Sequence, residues 1–338
     1  MRPTRVRAHI EQALTSAWYS GAWWLYLLWP LSLIVRLVVY QRRRAFLRHP
    51  PHPSATPVVV VGGITVGGTG KTPVIIALIE ALTQRGLRVG VVSRGYGGVA
   101  ASEPTKVNEN ADHRAVGDEP VLIARKTHCP MVVCQRRPAA LAVLDKEDLD
   151  LILSDDGLQH YAMARAFEIA VLDADRGVGN GQLIPMGPLR ESATRLATVD
   201  WVLYRSGTDT ASAVNYKLVG FRHLHNGDFV DLANAQSRWQ GGPSPQLAFV
   251  AAIGQPQQFF QMLHDHGFDG ETLGFADHQS LSQSDLDMIK ADIIITTEKD
   301  AVKMTAIMDQ RVWVLEIAAQ LPEALIETLM MKFAQESA

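Results

Sequence analysis

The sequence predicts an α/β protein: a parallel-sheet domain of the P-loop NTPase type, a smaller C-terminal α/β domain, and an N-terminal membrane-associating helix. Three observations predict it. Residues 58–72 read VVVVGGITVGGTGKT, an apolar strand running into a glycine-rich loop that closes on Lys71 and Thr72. Short apolar runs then alternate with helical patterns along the chain, the pattern of a parallel sheet with crossover helices. Residues 12–35 carry no formal charge and hold four of the seven tryptophans.

At 338 residues the chain is long enough for two domains. The expected boundaries are a membrane-associating segment at 1–47, a P-loop domain at 48–206, a hairpin-like connector at 207–246 and the C-terminal α/β domain at 247–338. A net charge of −3 provides no bulk positive field for nucleic acid, and no nucleic-acid partner is expected. The two cysteines, Cys129 and Cys134, lack zinc-ligand company and fit a reducing compartment.

The N-terminal run is long enough for a membrane span and too long, without a small-x-small site, for a signal peptide. Trp18, Trp23, Trp24 and Trp29 are spread through it, Pro30 is expected to kink it, and arginines flank both ends. These features favour interfacial or re-entrant anchoring, with the helix on an anionic leaflet, over a span or a buried core helix. A proline-rich linker, 48–57, follows.

In the P-loop, glycines let backbone N–H groups turn toward phosphate oxygens, and the helix N-terminus adds its positive end. Thr65, Val66, Gly67, Gly68, Thr69, Gly70, Lys71 and Thr72 form the expected ATP-binding loop. Lys71 would reach the β- and γ-phosphates and Thr72 would ligate Mg²⁺. The generic pattern has Gly at position 65, where this chain has Thr65. Further strands are expected at 88–93, 131–134, 150–154, 168–173 and 201–205. Asp118 opens a helix over about 119–127, where a local reading makes it a cap. Arg136 and Arg137 stand at a strand-to-helix junction from which a phosphate can be reached. Asp155 and Asp156 end an apolar strand downstream of the P-loop, the arrangement that sets a carboxylate beside Mg²⁺.

The C-terminal part is expected to have strands at 247–253, 271–275, 292–297 and 312–317, with helices at 256–266, 282–289, 300–308 and 322–335. By itself His278, just after a strand, reads as a turn residue.

Several separated motifs then coincide: TVGGTGKTP at 65–73, VGDEP at 116–120, SDDGLQH at 154–160, LIPMGPLRE at 183–191, Asp277-His278, and TTEKDAVK at 296–303. With the apolar N-terminus, the chain resembles the tetraacyldisaccharide 4′-kinases of lipid A biosynthesis over nearly its whole length, Thr65 included. It departs from that pattern at Gly63, Ser192 and Gln279. The resemblance implies transfer of the ATP γ-phosphate to the 4′-hydroxyl of a lipid A disaccharide precursor at the cytoplasmic face of the inner membrane, in contact with its lipids. It implies that Asp118 and His278 form a catalytic dyad working with Lys71. It further implies that Asp155, Asp156 and Glu191 support the metal, and that Arg136 or Arg137, and Arg190, contact phosphates. The alternative is a membrane-bound switch ATPase of the partitioning or Min type, but such proteins carry a lysine where Val66 stands here.

Overall fold

The computed structural model describes residues 13–68, 70–99, 102–205, 211–240 and 245–334. Thirteen strands form one mixed sheet among them: β1 Val58–Gly62, β2 Val89–Ser93, β3 Thr105–Val107, β4 Met131–Val133, β5 Leu151–Asp155, β6 Phe167–Asp173, β7 Trp201–Arg205, β8 Ala213–His223, β9 Phe229–Asp231, β10 Leu247–Ala251, β11 Glu271–Gly274, β12 Ile293–Thr297 and β13 Val312–Gln320. The order is β11-β10-β12-β13-β8-β7-β6-β1-β5-β2-β4-β3, with β9 paired to β8. Both halves are parallel around their centres, β1 lying between β5 and β6 and β10 between β11 and β12. The eleven residues of β8 join them: its start pairs parallel with β7, and its remainder pairs antiparallel with β13.

β1 is buried on both faces because helices cover both. Val59 and Val61 pack with Val74, Ile75 and Leu78 of the helix that follows the P-loop, while Val58 and Val60 pack on the opposite face with Ala140 and Leu141. Each such fully buried side chain contributes about 1.5–3 kcal/mol, so a continuous apolar run, rather than an alternating one, is what a central parallel strand requires.

At the N-terminus, residues 13–20 are helical, a 3₁₀ turn covers Trp23–Leu28, and helix α1 covers Trp29–Arg48. Contrary to the expected kink, Pro30 lies in the first turn of α1, where a missing N–H costs nothing. The stretch Trp23–Arg48 is long and apolar enough to cross a membrane, and only 11% of its most apolar window is buried. That excludes a buried core helix. One edge is nonetheless fixed to the body: Ser32 Oγ donates to Leu183 O (2.9 Å) and accepts from Met186 N (3.0 Å), and Trp18 Nε1 donates to Pro185 O (2.9 Å).

Two elements differ from expectation. Leu232–Gln240 is a helix, its Leu232, Ala235 and Trp239 at helical spacing against β8 and its neighbours. The helix expected at 300–308 is a single turn, Glu298–Ala301, followed by further turns. Tertiary contacts decide this: Asp300 spends its carboxylate on Ala252 N (3.0 Å), Thr297 Oγ1 (2.8 Å) and Lys303 Nζ (2.8 Å).

Candidate active site

The polar loops converge at the carboxyl ends of β1, β2, β5, β10 and β12, where an open α/β sheet leaves room for ligands. β1 delivers the P-loop into helix α2, Lys71–Gln84. The loop is held from both sides. Val66 N donates to Pro188 O (2.8 Å), and buried Thr65 bridges to Leu189. From the C-terminal half, Gln255 Nε2 donates to Gly68 O (2.7 Å). From β8, Tyr216 Oη donates to Gly70 O (2.8 Å). Gly70 has φ +76°, and a Cβ there would stand 2.5 Å from Tyr216 Oη, so only glycine fits without movement. Thr69 lies outside the described residues.

The register Val61↔Asp155 sets the end of β5 beside the start of the P-loop. Asp156 adopts φ 47°, a left-handed conformation that is strained for a non-glycine residue and is concentrated at functional sites. Its carboxylate is 3.6 Å from Lys71 Nζ and takes both Arg190 Nη1 (2.8 Å) and Nη2 (2.9 Å). Burial works against this charge, but Lys71 and Arg190 prevail and hold its pKa far below the ordinary carboxylate value. Asp155 points to Ser93 Oγ (2.9 Å) and is pushed up by burial, by Glu119 and by Asp156.

Two of the arginines are engaged within the protein. Arg137 is buried, and its guanidinium donates to the carbonyls of Asp155 and Asp156 (the latter at 3.0 Å), bracing the strained turn. Arg190 also donates to Gly63 O (2.8 Å), so it ties the turn to the P-loop. Arg136 is exposed beside them. Glu191 is buried, accepts from Tyr161 Oη (2.6 Å) and pairs with Arg195 (3.4 Å). The structure therefore does not gather Asp155, Asp156 and Glu191 into one cluster, and among the described residues no three His, Cys, Asp or Glu side chains form a metal cage.

Asp118 is the first residue of helix α3, Asp118–Thr127, with Gly117 before it. It is buried, and its Oδ1 accepts from Glu119 N (3.0 Å). Its Oδ2 meets His278 Nδ1 at 3.0 Å. His278 comes from the loop after β11, with φ 59°, its N–H bonded to Ala252 O and its ring 5.6 Å from that of Tyr96. Burial pushes the Asp118 carboxyl up, but the His278 hydrogen bond and Lys299 outweigh it and hold it at about 2. The same hydrogen bond raises His278 above its ordinary 6.5. A cavity of 260 Å³ opens here, lined among others by Asp118, His278, Gly97, Arg114 and Lys303.

Two residues were not singled out from sequence. Glu119, next to Asp118, presses on Asp155 electrostatically and accepts from Lys299 Nζ (2.9 Å) across the two halves. Lys299 is driven further toward its cation by Glu119, Asp118 and Asp277, against the effect of burial. Both belong to motifs already quoted, VGDEP and TTEKDAVK, and the only local signal was their position beside Asp118 and at a strand end.

A phosphate-binding loop, a metal-capable carboxylate turn and a hydrogen-bonded carboxylate–imidazole pair on a parallel α/β sheet define a P-loop phosphotransferase. A sequence profile of LpxK, tetraacyldisaccharide-1-P 4′-kinase, matches residues 24–334. The tetraacyldisaccharide 4′-kinase of Alcanivorax borkumensis is 41% identical over 330 residues, 95% of this chain and 97% of that protein. The one from Stutzerimonas stutzeri is 45% identical over 306 residues, 88% of this chain and 89% of that one. The crystal structure of the "apo" form of LpxK from Aquifex aeolicus in complex with ATP shares the fold, with a TM-score of 0.74 and 23% identity over 91% of this chain and 99% of that one. The chain belongs to the tetraacyldisaccharide-1-P 4′-kinase family, enzymes that act in lipid A biosynthesis.

Proposed function

We propose that the chain transfers the γ-phosphoryl group of ATP to the 4′-hydroxyl of tetraacyldisaccharide 1-phosphate, with Asp118 as the base and His278 orienting it. The observation that carries this reading is the 3.0 Å Asp118–His278 hydrogen bond, which joins a residue of each half. A carboxyl held at about 2 is a weak base. Weakness is tolerable here, because in a loose phosphoryl-transfer transition state the hydroxyl proton leaves late and positioning matters more than basicity. His278 Nδ1–H would hold Oδ2, leaving the remaining lone pairs of the carboxylate for the sugar hydroxyl. Lys71 would neutralise the migrating charge from its place beside Asp156.

The carboxylates fit a magnesium ion. Asp155 is crowded by Glu119 and Asp156, and a dication would relieve the like-charge pressure that pushes its carboxyl up. Thr72, Asp155 and Asp156 are the residues that would hold it; Mg²⁺ takes only one or two carboxylates and fills its shell with water and phosphate oxygens. When bound, it would neutralise charge on the β- and γ-phosphates.

Attachment to inner-membrane lipids is supported by the exposed apolar face of the N-terminal helices, where Trp23, Tyr26, Leu27, Trp29, Ile34 and Leu37 are all at least half exposed. The bonds of Ser32 to Leu183 and Met186 favour a helix lying along the cytoplasmic surface of the bilayer over one crossing it. The test is transfer of labelled γ-phosphate from ATP to purified tetraacyldisaccharide 1-phosphate in mixed micelles. Label in the lipid at the 4′ position is expected; ATP hydrolysis that needs no lipid acceptor would overturn the reading in favour of a switch ATPase.

A further inference from the structure

A second cavity, of 380 Å³, lies beneath α1. Arg36, Val39, Tyr40 and Arg43 of the helix form one wall, with Leu183 and Glu191 opposite. The walls are fastened to each other, through Ser32 to the 183–186 loop and through Arg43 Nη2 to Thr198 Oγ1 (2.7 Å). α1 carries five arginines and no carboxylate. Arg36 has neither hydrogen bond nor ion pair among the described residues and lines the cavity.

The carboxylate in this cavity, Glu191, is 1% exposed. Its Oε2 is engaged by Tyr161 and Arg195, but its buried Oε1 has no partner. An unsatisfied buried acceptor costs about 1–3 kcal/mol until a donor arrives. The cavity thus has guanidiniums for an anion, an orphan acceptor for a hydroxyl or amide N–H, and apolar surface from Val39 and Leu183. An inorganic anion would answer only the first of these; a phosphorylated sugar answers all three. The segment that lines the cavity also reaches the P-loop turn, since Arg190, the neighbour of Glu191, holds Asp156.

The acceptor named by the family carries one phosphate, at position 1, on the sugar ring that does not bear the 4′-hydroxyl. We propose that Arg36 and Arg43 form the subsite for this 1-phosphate, with Glu191 Oε1 accepting from a hydroxyl or amide N–H of the adjoining sugar. This rests on the acceptor assigned above. Anionic membrane phospholipids carry the same phosphate chemistry, so the test separates the two sources.

Arg36→Gln, Arg43→Gln and, outside the cavity, Arg48→Gln are made in the full chain. Each is assayed in neutral-detergent micelles with tetraacyldisaccharide 1-phosphate and with its 1-hydroxyl counterpart. Loss of a charged hydrogen-bond donor is expected to raise KM for the 1-phosphate acceptor about tenfold for Arg36→Gln and for Arg43→Gln. KM for the 1-hydroxyl acceptor should stay within about twofold, as for a solvent-exposed charge. Arg48→Gln should treat both acceptors alike. Equal losses on both acceptors would overturn the subsite and assign the arginines to the membrane surface or the fold, which melting and vesicle sedimentation would then apportion. Unchanged KM on both would also overturn it, the phosphate being held elsewhere. A wild-type chain that phosphorylates neither acceptor would overturn the underlying functional reading, and the subsite with it.

Discussion

Replacing His278 by alanine removes the 3.0 Å hydrogen bond that is foremost among the groups holding Asp118 ionised. The carboxyl stays ionised at neutral pH without the bond, so the loss is one of positioning: a charged hydrogen bond that fixes the base is worth about 2 kcal/mol, about thirtyfold in rate when fully felt in the transition state. Asp118→Ala, which removes the base itself, is expected to cost about a thousandfold in kcat. The double variant should be no worse than Asp118→Ala, because His278 acts through the carboxylate that is already gone. Single-turnover transfer, with ATP affinity measured alongside, reads these numbers. The pH dependence adds a second arm. His278 is raised above 6.5, so its protonated contribution is complete below 6.5 and is lost as pH rises through the folded value. Asp118 is depressed, so its contribution is complete above 3.8 and is lost only as pH falls toward about 2. Wild-type kcat should therefore decline on the alkaline side, and His278→Gln should lack that decline. Losses that multiply in the double variant would refute the dyad. So would an Asp118→Ala protein that melts early yet keeps its kcat, which would leave Asp118 as a first-turn helix residue and nothing more.

Gly70→Ala places a Cβ against Tyr216 Oη and demands φ +76° of an alanine; a loss of about 1–3 kcal/mol in stability and weaker ATP binding are expected from melting and nucleotide titration, and an unchanged melt would refute the role given to the loop contact. On the exposed face of α1, Ile34→Asp and Leu37→Asp each remove a side chain that would be worth about 1.5–3 kcal/mol in lipid. Each should cut co-sedimentation with anionic vesicles by tenfold or more while ATP binding persists, and undiminished sedimentation would mean that another surface carries the attachment.

What the sequence by itself determined lies within short spans of chain. The P-loop was legible because strand, glycine loop, Lys71, Thr72 and helix are contiguous, so the residues that identify it sit within fifteen positions even though Pro188, Tyr216 and Gln255 help to hold it. The apolar N-terminal helix and the carboxylates ending β5 were legible for the same reason, and the alternation of strand and helix patterns implied the parallel sheet. The tertiary structure decided the rest, because there the deciding partner is far away in the chain. Asp118 and His278 are 160 residues apart; each alone reads as a cap or a turn, and only the family pattern joined them before the fold did. Arg137 and Arg190 look alike as cations near a phosphate loop, yet one is spent on two backbone carbonyls and the other on Asp156, a difference set by burial and direction rather than residue type. The helix at 232–240 had a readable spacing, but the short turn at 298–301 did not, since Asp300 is claimed by Ala252, just past the end of β10. β8 likewise could not be read as the link between two half-sheets, because a strand's partners are not encoded in its own residues but in which edges are free when the halves meet.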